Sequence, residues 1–423
     1  MNTFAMMILG CKVNDYEATV LRNRLLKEGY KEVSFKEKAD IYIIFTCCVT
    51  NTAESKTRKM VHRARHTNSD AFVVAVGCLV QIKGDSKDFD MADLIVGSKD
   101  KDKLFDLINE KVHSKKVSEL NKNFTELYLD TYPGKSRSFL KVQDGCNQFC
   151  SYCIIPYARG RETSANHNKI IEQARMLSKS SKELVLVGIH TGRYNDGEYN
   201  LYMLLRDLCE IKELETIRLS SIEITEISDE IIELMKNSSK LAHHLHIPLQ
   251  AGSDAILRMM NRPYTIAEFK ERIDYIRNQI PDISISTDLI VGFPGETDEL
   301  FDITKNNLLD IKFSFVHVFP YARKTGTRAD NMDNHVDEKI KKNRVSEVMK
   351  LEEPITYEFK TKFIGQNLKA LIEKKDDGYL YGYTKQYFYT KIKGDGQIGD
   401  VLDVTIDDVN KDEVLAHVSW WAL

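Results

Sequence analysis

A chain of 423 residues with 42% hydrophobic and 29% charged residues has the makeup of a globular protein of about two to four domains. It contains no run of about 18 apolar residues, which excludes a membrane-spanning helix, and its first residues lack the basic start and cleavage site of a signal peptide. The formal net charge of −3 leaves any nucleic-acid partner to a local basic patch. A cytoplasmic location is expected, where thiols stay reduced, so the eight cysteines point to metal rather than to disulfides.

Along the chain, Thr3–Leu9 reads as a strand and Asp15–Glu28 as a helix. Ile41–Phe45, Phe72–Val76 and Leu94–Val96 read as further strands, with helices over Ala53–His66 and Lys103–Val112. This alternation predicts a doubly wound parallel α/β sheet over 1–113. Ser114–Asn123 is polar and reads as a link. A second α/β series predicts strands Ser138–Val142, Leu184–Val187, Glu215–Leu219, His244–Ile247, Ile283–Ile290 and Ser314–Phe319, with helices such as Lys169–Leu177 and Ala267–Asn278 between them. Six βα units over 132–362 make a partial barrel that stops short of the closed eight-unit form. After a charged helix at Asp337–Glu353, five short strands with Gly and Asp turns predict a small antiparallel barrel of OB-like type over 363–423.

The cysteines carry the chemistry. Cys146, Cys150 and Cys153 form C-x3-C-x2-C directly after the first strand of the second series. Three close thiolates hold three irons of a [4Fe–4S] cluster and leave the fourth iron open, whereas a closed zinc site wants a fourth ligand nearby, and the next His or Cys is His167. In the first series Cys11, Cys47 and Cys78 each follow a strand. They are far apart in sequence, but all strand ends of an open parallel sheet emerge on one edge, so a second three-cysteine cluster is expected there. Cys48 adjoins Cys47, and consecutive residues leaving a strand point opposite ways, so Cys48 reads as a small buried thiol. Cys209 reads as core.

The triplet, with Tyr152 before its last cysteine, resembles the radical S-adenosylmethionine (SAM) family. Together with "LGCKVNDYE", "TCCVTNTAE", "AVGCLVQ", "GIHTGRY", "RLSSIE", "HIPLQAGSDAILRMMNRPYT" and "STDLIVGFPGET", the whole chain resembles the methylthiotransferases. That resemblance implies two [4Fe–4S] clusters, SAM, a low-potential electron donor, a sulfur source and a closing TRAM domain. It also implies methylthio transfer to tRNA, and "VTNTAE" and "GIHTGRY" resemble the group acting on N6-threonylcarbamoyladenosine at position 37. The groups that modify a ribosomal protein or isopentenyladenosine remain alternatives, as does a metal-stabilised RNA-binding module without catalysis. For SAM, besides Tyr152, the resemblance and the strand-end positions indicate Gly188, Ser220, Glu223, Gln250, Ser253 and Asp288. "GFPGET" reads alternatively as a turn with Thr297 capping a helix.

An RNA surface is sought in basic residues. Lys56, Arg58, Lys59 and Arg63 lie on the helix after Cys47, and Arg159 and Arg161 follow the SAM triplet. The terminal domain has no arginine from Thr356 to its end and more carboxylates than lysines, so it would meet RNA through one local face. Strand alternation would put Lys385, Tyr387, Tyr389, Lys391 and Lys393 together there. Solvated helix and barrel faces are the plain alternative in each case.

Overall fold

The computed structural model describes residues 2–120, 123–411 and 413–419. Strands β1 (Thr3–Ile8), β2 (Lys31–Glu32), β3 (Ile41–Thr46), β4 (Phe72–Gly77) and β5 (Leu94–Val96) form one parallel sheet in the order β2-β1-β3-β4-β5. Every residue of β3 and β4 is buried, which explains their unbroken Val, Ile and Phe runs. Helix α1 (Lys12–Lys27) supplies Ala18, Leu21 and Leu25 to the core on one face. On the other, α2 (Asn51–Thr67) supplies Val61 and Ala64, and α3 (Cys78–Lys83) supplies Leu79 and Val80. Thr50 caps α2 by accepting from Ala53 N at 3.1 Å, so the helix begins three residues beyond Cys48. Strand order reverses between β1 and β3, and the crevice beyond the strand ends at such a reversal is where doubly wound sheets take ligands.

The second domain has six parallel strands: Arg137–Lys141, Glu183–Val187, Thr216–Leu219, His244–His246, Ser284–Val291 and Phe315–Pro320. They pair as two runs of three, joined by bridges Ile217–Leu241 and Ser221–His246. This is the expected partial barrel. Thr297 does cap the helix Asp298–Ile311, accepting from Leu300 N at 3.3 Å. The charged helix runs much further than its sequence suggests, Glu338–Thr361, straight through Pro354. A proline inside a helix removes one backbone donor and ordinarily marks an end, which is why the sequence reads as stopping at Glu353.

The last domain is a closed five-stranded barrel: Asn367–Asp376, Tyr379–Thr384, Tyr389–Lys393, Val414–Val418 and Val401–Val409, in spatial order. One of its five pairings, between 389–393 and 414–418, is parallel, and the rest are antiparallel. The three domains interlock. Val13 and Tyr16 of α1 belong to the large core of the second domain, and Ile154 and Ala158 belong to the core of the first. The polar stretch after 113 is not a free tether: Ile95 N donates to Ser114 O at 2.9 Å, so the chain leaves along the edge of β5.

Candidate active site

Cys11 is the N-cap of α1, Cys47 follows β3, and Cys78 opens α3. The parallel sheet brings them together, and the charges of Cys78 and Cys11 both bear on Cys47. Gly10 and Gly77 hold φ of +102° and +111°, a conformation open to glycine, and so turn the chain abruptly from strand into helix at each cysteine. A Cβ on Gly10 would lie 2.9 Å from Cys47 Cβ, so the approach of these loops requires a glycine there. Burial, and then the neighbouring thiols, push Cys47 up to about 11. Cys48 lies in the apolar cluster with Val61, Ala64 and Leu79, a cluster that also contains Cys78. The Cys48 thiol reaches Cys78: that hydrogen bond, followed by burial, raises Cys48, while on Cys78 the same bond lowers the pKa to about 5 against the opposing effect of burial.

Cys146, Cys150 and Cys153 occupy the loop after the first barrel strand, each half-buried. Burial and then the Cys150 charge push Cys153 up to about 12. Gln148 N donates to Cys146 Sγ and Arg262 Nη1 to Cys150 Sγ, each at 3.4 Å. Sequence reading passed over a fourth residue at this triplet: His190 Nδ1 lies 3.4 Å from Cys146 Sγ, with Glu162 also within reach. His190 is not a free ligand. Its other nitrogen pairs with Glu226 at 2.8 Å, and although burial opposes the charge, the bonds to Cys146, Glu162 and Glu226 raise its pKa far above the usual imidazole value. With one nitrogen toward Cys146 and the other toward Glu226, His190 stands as a polar neighbour of the triplet.

Between the two triplets lies a buried ion network. Arg159, fully buried, donates through Nη1 to Glu17 at 3.0 Å and Asp144 at 3.1 Å, and through Nη2 to Asn14 at 2.8 Å. Its Nε is 3.2 Å from Cys78 Sγ. Lys141 reaches Glu17 and Asp144 at 2.8 Å each, Lys101 pairs with Glu17, and Lys99 lies 3.8 Å from Asp144. Burial alone would raise Glu17 and Asp144; chiefly Arg159 for the first and Lys141 for the second hold them well below the carboxylate range. Four cations against two carboxylates leave a buried excess of positive charge next to thiols. Anionic thiolate-bound clusters fit that surplus. Arg159 was expected to touch phosphate or substrate; its burial in this network corrects that, and it serves the thiols instead. The "KDK" run after Ser98 looks like surface charge, yet Lys99 and Lys101 are buried.

A cavity of about 800 Å³ opens among all three domains. Cys11 and Lys12 form one lip, Gly188, Ser220 and Asp288 lie on the barrel side, and Tyr383, Tyr387 and Tyr389 come from the last domain. Ser220 Oγ bonds Thr191 Oγ1 at 3.0 Å, and Asp288 pairs with His246 at 3.2 Å. Gly188 is crowded: a Cβ would meet Gln143 and Thr191 at 3.1 Å. Four other expected SAM residues lie outside this lining. Gln250 holds φ +64° between β pairings, a rare conformation for a side-chain-bearing residue and one that clusters at functional sites. Ser253 Oγ is buried with no hydrogen-bond partner among the described residues. Tyr152 packs against the large core. Glu223 is engaged by Arg262, the same guanidinium that reaches Cys150.

On the RNA side, Lys56, Lys59 and Arg63 are exposed along α2, whereas Arg58 is half-buried with Asp88 at 3.5 Å. Arg161 is exposed, its guanidinium 4.4 Å from the Phe149 ring. The expected row in the last domain is broken, because the strand stops at Thr384 and resumes at Tyr389. The intervening turn docks on the barrel. Arg218 donates to the carbonyls of Lys385 and Thr384, Lys385 Nζ donates to Ser239 O, and Tyr387 stacks on His244 at 4.7 Å. Lys385 is therefore a docking residue and not part of an RNA face. Lys391 is half-buried near Glu413 at 3.6 Å, and Tyr389 and Lys393 stay exposed.

A three-cysteine loop at the mouth of a six-strand partial barrel, joined to a cysteine-bearing doubly wound sheet and a small β-barrel, defines the radical SAM class of architecture. Family models agree: the Radical SAM superfamily matches residues 140–306, Uncharacterized protein family UPF0004 residues 3–97, and the TRAM domain residues 361–418. The chain is 37% identical over 96% of its length to the threonylcarbamoyladenosine tRNA methylthiotransferase MtaB of Bacillus subtilis, covering 94% of that protein. It is also 37% identical to MtaB of Aquifex aeolicus, over 94% of this chain and 98% of that one. A tRNA-2-methylthio-N(6)-dimethylallyladenosine synthase of Thermodesulfovibrio yellowstonii is 33% identical, over 94% of each. Among solved structures, the radical SAM methyltransferase TsrM of Kitasatospora setae, with cobalamin and a [4Fe-4S] cluster, superposes with a TM-score of 0.58 at 12% identity, over 77% of this chain and 76% of that one. The chain belongs to the radical SAM methylthiotransferase family.

Proposed function

We propose that this protein transfers a methylthio group to C2 of N6-threonylcarbamoyladenosine at position 37 of tRNA. The observation that carries the reading is the buried path Cys78–Arg159–Asp144, which ends two residues from Cys146 and so links the segments that carry the two cysteine triplets. Cys146, Cys150 and Cys153 would hold one [4Fe–4S] cluster and Cys11, Cys47 and Cys78 a second. When bound, the first supplies the electron for cleavage of SAM and the second a site for sulfur delivery. In the net reaction the C2–H is replaced by C2–S–CH3: the hydrogen leaves with the 5′-deoxyadenosyl fragment of one SAM and the methyl comes from another. The sulfur comes from a separate source, and a low-potential donor supplies electrons.

The chain's own residues position and shield. His190 and Arg262 hold positive charge against Cys146 and Cys150, and the aromatic wall of the cavity excludes water from the base. Position 37 lies in a loop, where a base can be presented unstacked, and Tyr383, Tyr387 and Tyr389 offer stacking faces. Lys56, Lys59, Arg63 and Arg161 remain for phosphate contacts, in a cytoplasmic protein. Among the described residues no helix is long and apolar enough to cross a membrane. The dimethylallyl reading is favoured by the Thermodesulfovibrio relative and by three others of that name, at 32–33% identity against the 37% of two MtaB relatives. Nucleoside mass spectrometry of tRNA from cells with and without the gene tests the assignment: loss of the methylthio form of threonylcarbamoyladenosine is expected, and loss of a methylthio isopentenyl nucleoside or of a ribosomal-protein modification instead would reject it.

A further inference from the structure

The cavity lining contains few charged groups. Asp288 is answered by His246, and Lys360 lies in the field of Glu352. Lys12 differs. It is accessible to solvent along the cavity lip, one residue from Cys11, and its ammonium makes no hydrogen bond or ion pair with any described residue. The cations nearest in charge are already neutralised, Arg218 by Glu183 at 3.2 Å and Arg137 by Glu183 at 3.4 Å and Glu373 at 2.7 Å. An ammonium that lines a cavity and is paired with no carboxylate of the described residues is matched to an anion that arrives from outside.

We infer that Lys12 is a specificity-determining residue that pairs with the carboxylate of the threonyl group on the substrate adenosine. The inference rests on the function proposed above and adds the residue that separates this base from uncharged N6-substituted adenosines. The threonylcarbamoyl group carries one carboxylate, whereas a dimethylallyl group carries none. Besides Lys12 the lining holds one other lysine, Lys360, together with Phe315, Phe319 and the histidines His244 and His317, whose pKa values burial lowers.

The test uses full-length, cluster-loaded protein and two anticodon stem-loops, one with threonylcarbamoyladenosine and one in which its carboxylate is converted to the carboxamide. Wild type should favour the carboxylate substrate by ~10- to 100-fold in kcat/KM, the range of one charge-assisted contact in a confined site. Lys12→Met should bring that ratio close to one, Lys12→Arg should restore part of it, and iron content and absorption spectrum should match wild type in both. Equal slowing on both substrates, or loss of iron, would overturn the inference in favour of a role at the neighbouring cluster. Collapse of the ratio in Lys360→Met but not in Lys12→Met would overturn it in favour of the other lysine. If wild type converts neither stem-loop but does act on isopentenyladenosine, the functional proposal fails; if wild type converts the carboxylate substrate and Lys12→Met keeps the ratio, only this inference fails.

Discussion

Replacing Arg159 by Met tests whether the buried network is built for the clusters. The side chain makes five polar contacts: two to Glu17, one each to Asp144 and Asn14, and one to Cys78 Sγ. Removing one partner of a buried ion pair ordinarily costs about 3–5 kcal/mol, because a charge is left uncompensated. Here Glu17 keeps Lys101 and Lys141, and Asp144 keeps Lys141 and Lys99, so neither carboxylate is stranded. What is stranded is the buried Asn14 oxygen, at about 1–3 kcal/mol, together with the counter-charge for Cys78. The expected loss is therefore near the bottom of the range, about 3 kcal/mol, or roughly 100-fold in the local folding equilibrium. The assay is urea denaturation of apo protein by circular dichroism, alongside iron content after reconstitution in a background lacking Cys146, Cys150 and Cys153. Lower midpoint and lower iron are expected together, and Arg159→Lys should not rescue, since a point charge cannot span Glu17, Asp144 and Cys78 at once. A variant with unchanged midpoint and full iron would refute the reasoning.

Anaerobically reconstituted protein should hold about eight irons, and changing Cys146, Cys150 and Cys153 to Ala should halve that and abolish 5′-deoxyadenosine formation; persistence of that product would remove the radical assignment. In the same triple-variant background Cys47→Ala should empty the remaining site, while Cys48→Ala should keep about four irons, and the reverse result would show that Cys48 is the ligand. His243 pairs with Asp282 at 2.8 Å, and Asp282 also accepts from Gln386 of the last domain, so this pair ties that domain to the barrel. Its hydrogen bond to Asp282 raises His243, so the contribution is fully present below the unfolded imidazole value and lost as pH rises through the higher folded one. His243→Gln should therefore lower thermal stability more at about pH 5.5 than at about pH 8.5, and equal losses at both would contradict the pair.

The cysteine positions and the order of strands were legible because both depend on local pattern: β-branched runs, glycine turns, and thiols at strand ends. The reach of side chains across domains was not. Nothing in "YARGRE" tells Arg159, buried against Glu17 and Cys78, from Arg161, which stays exposed beside Phe149. The row Lys385 to Lys393 failed for a different reason: alternation holds only while a strand continues, and Tyr387 at φ +71° turns out of it toward His244. Lys12 stood in a quoted motif, yet its meaning came only from a cavity assembled from three domains. His190 was likewise hidden in "GIHTGRY", since contact with Cys146 spans 44 positions.

The most direct measurement incubates the purified, reconstituted protein with SAM, a reductant and a sulfide source on tRNA isolated from cells with and without threonylcarbamoyladenosine, and digests the product for nucleoside mass spectrometry. The account predicts a methylthio nucleoside from the first tRNA, absent when Cys146, Cys150 and Cys153 are replaced, and little or none from the second. Equal modification of both, or modification of isopentenyladenosine alone, would contradict it.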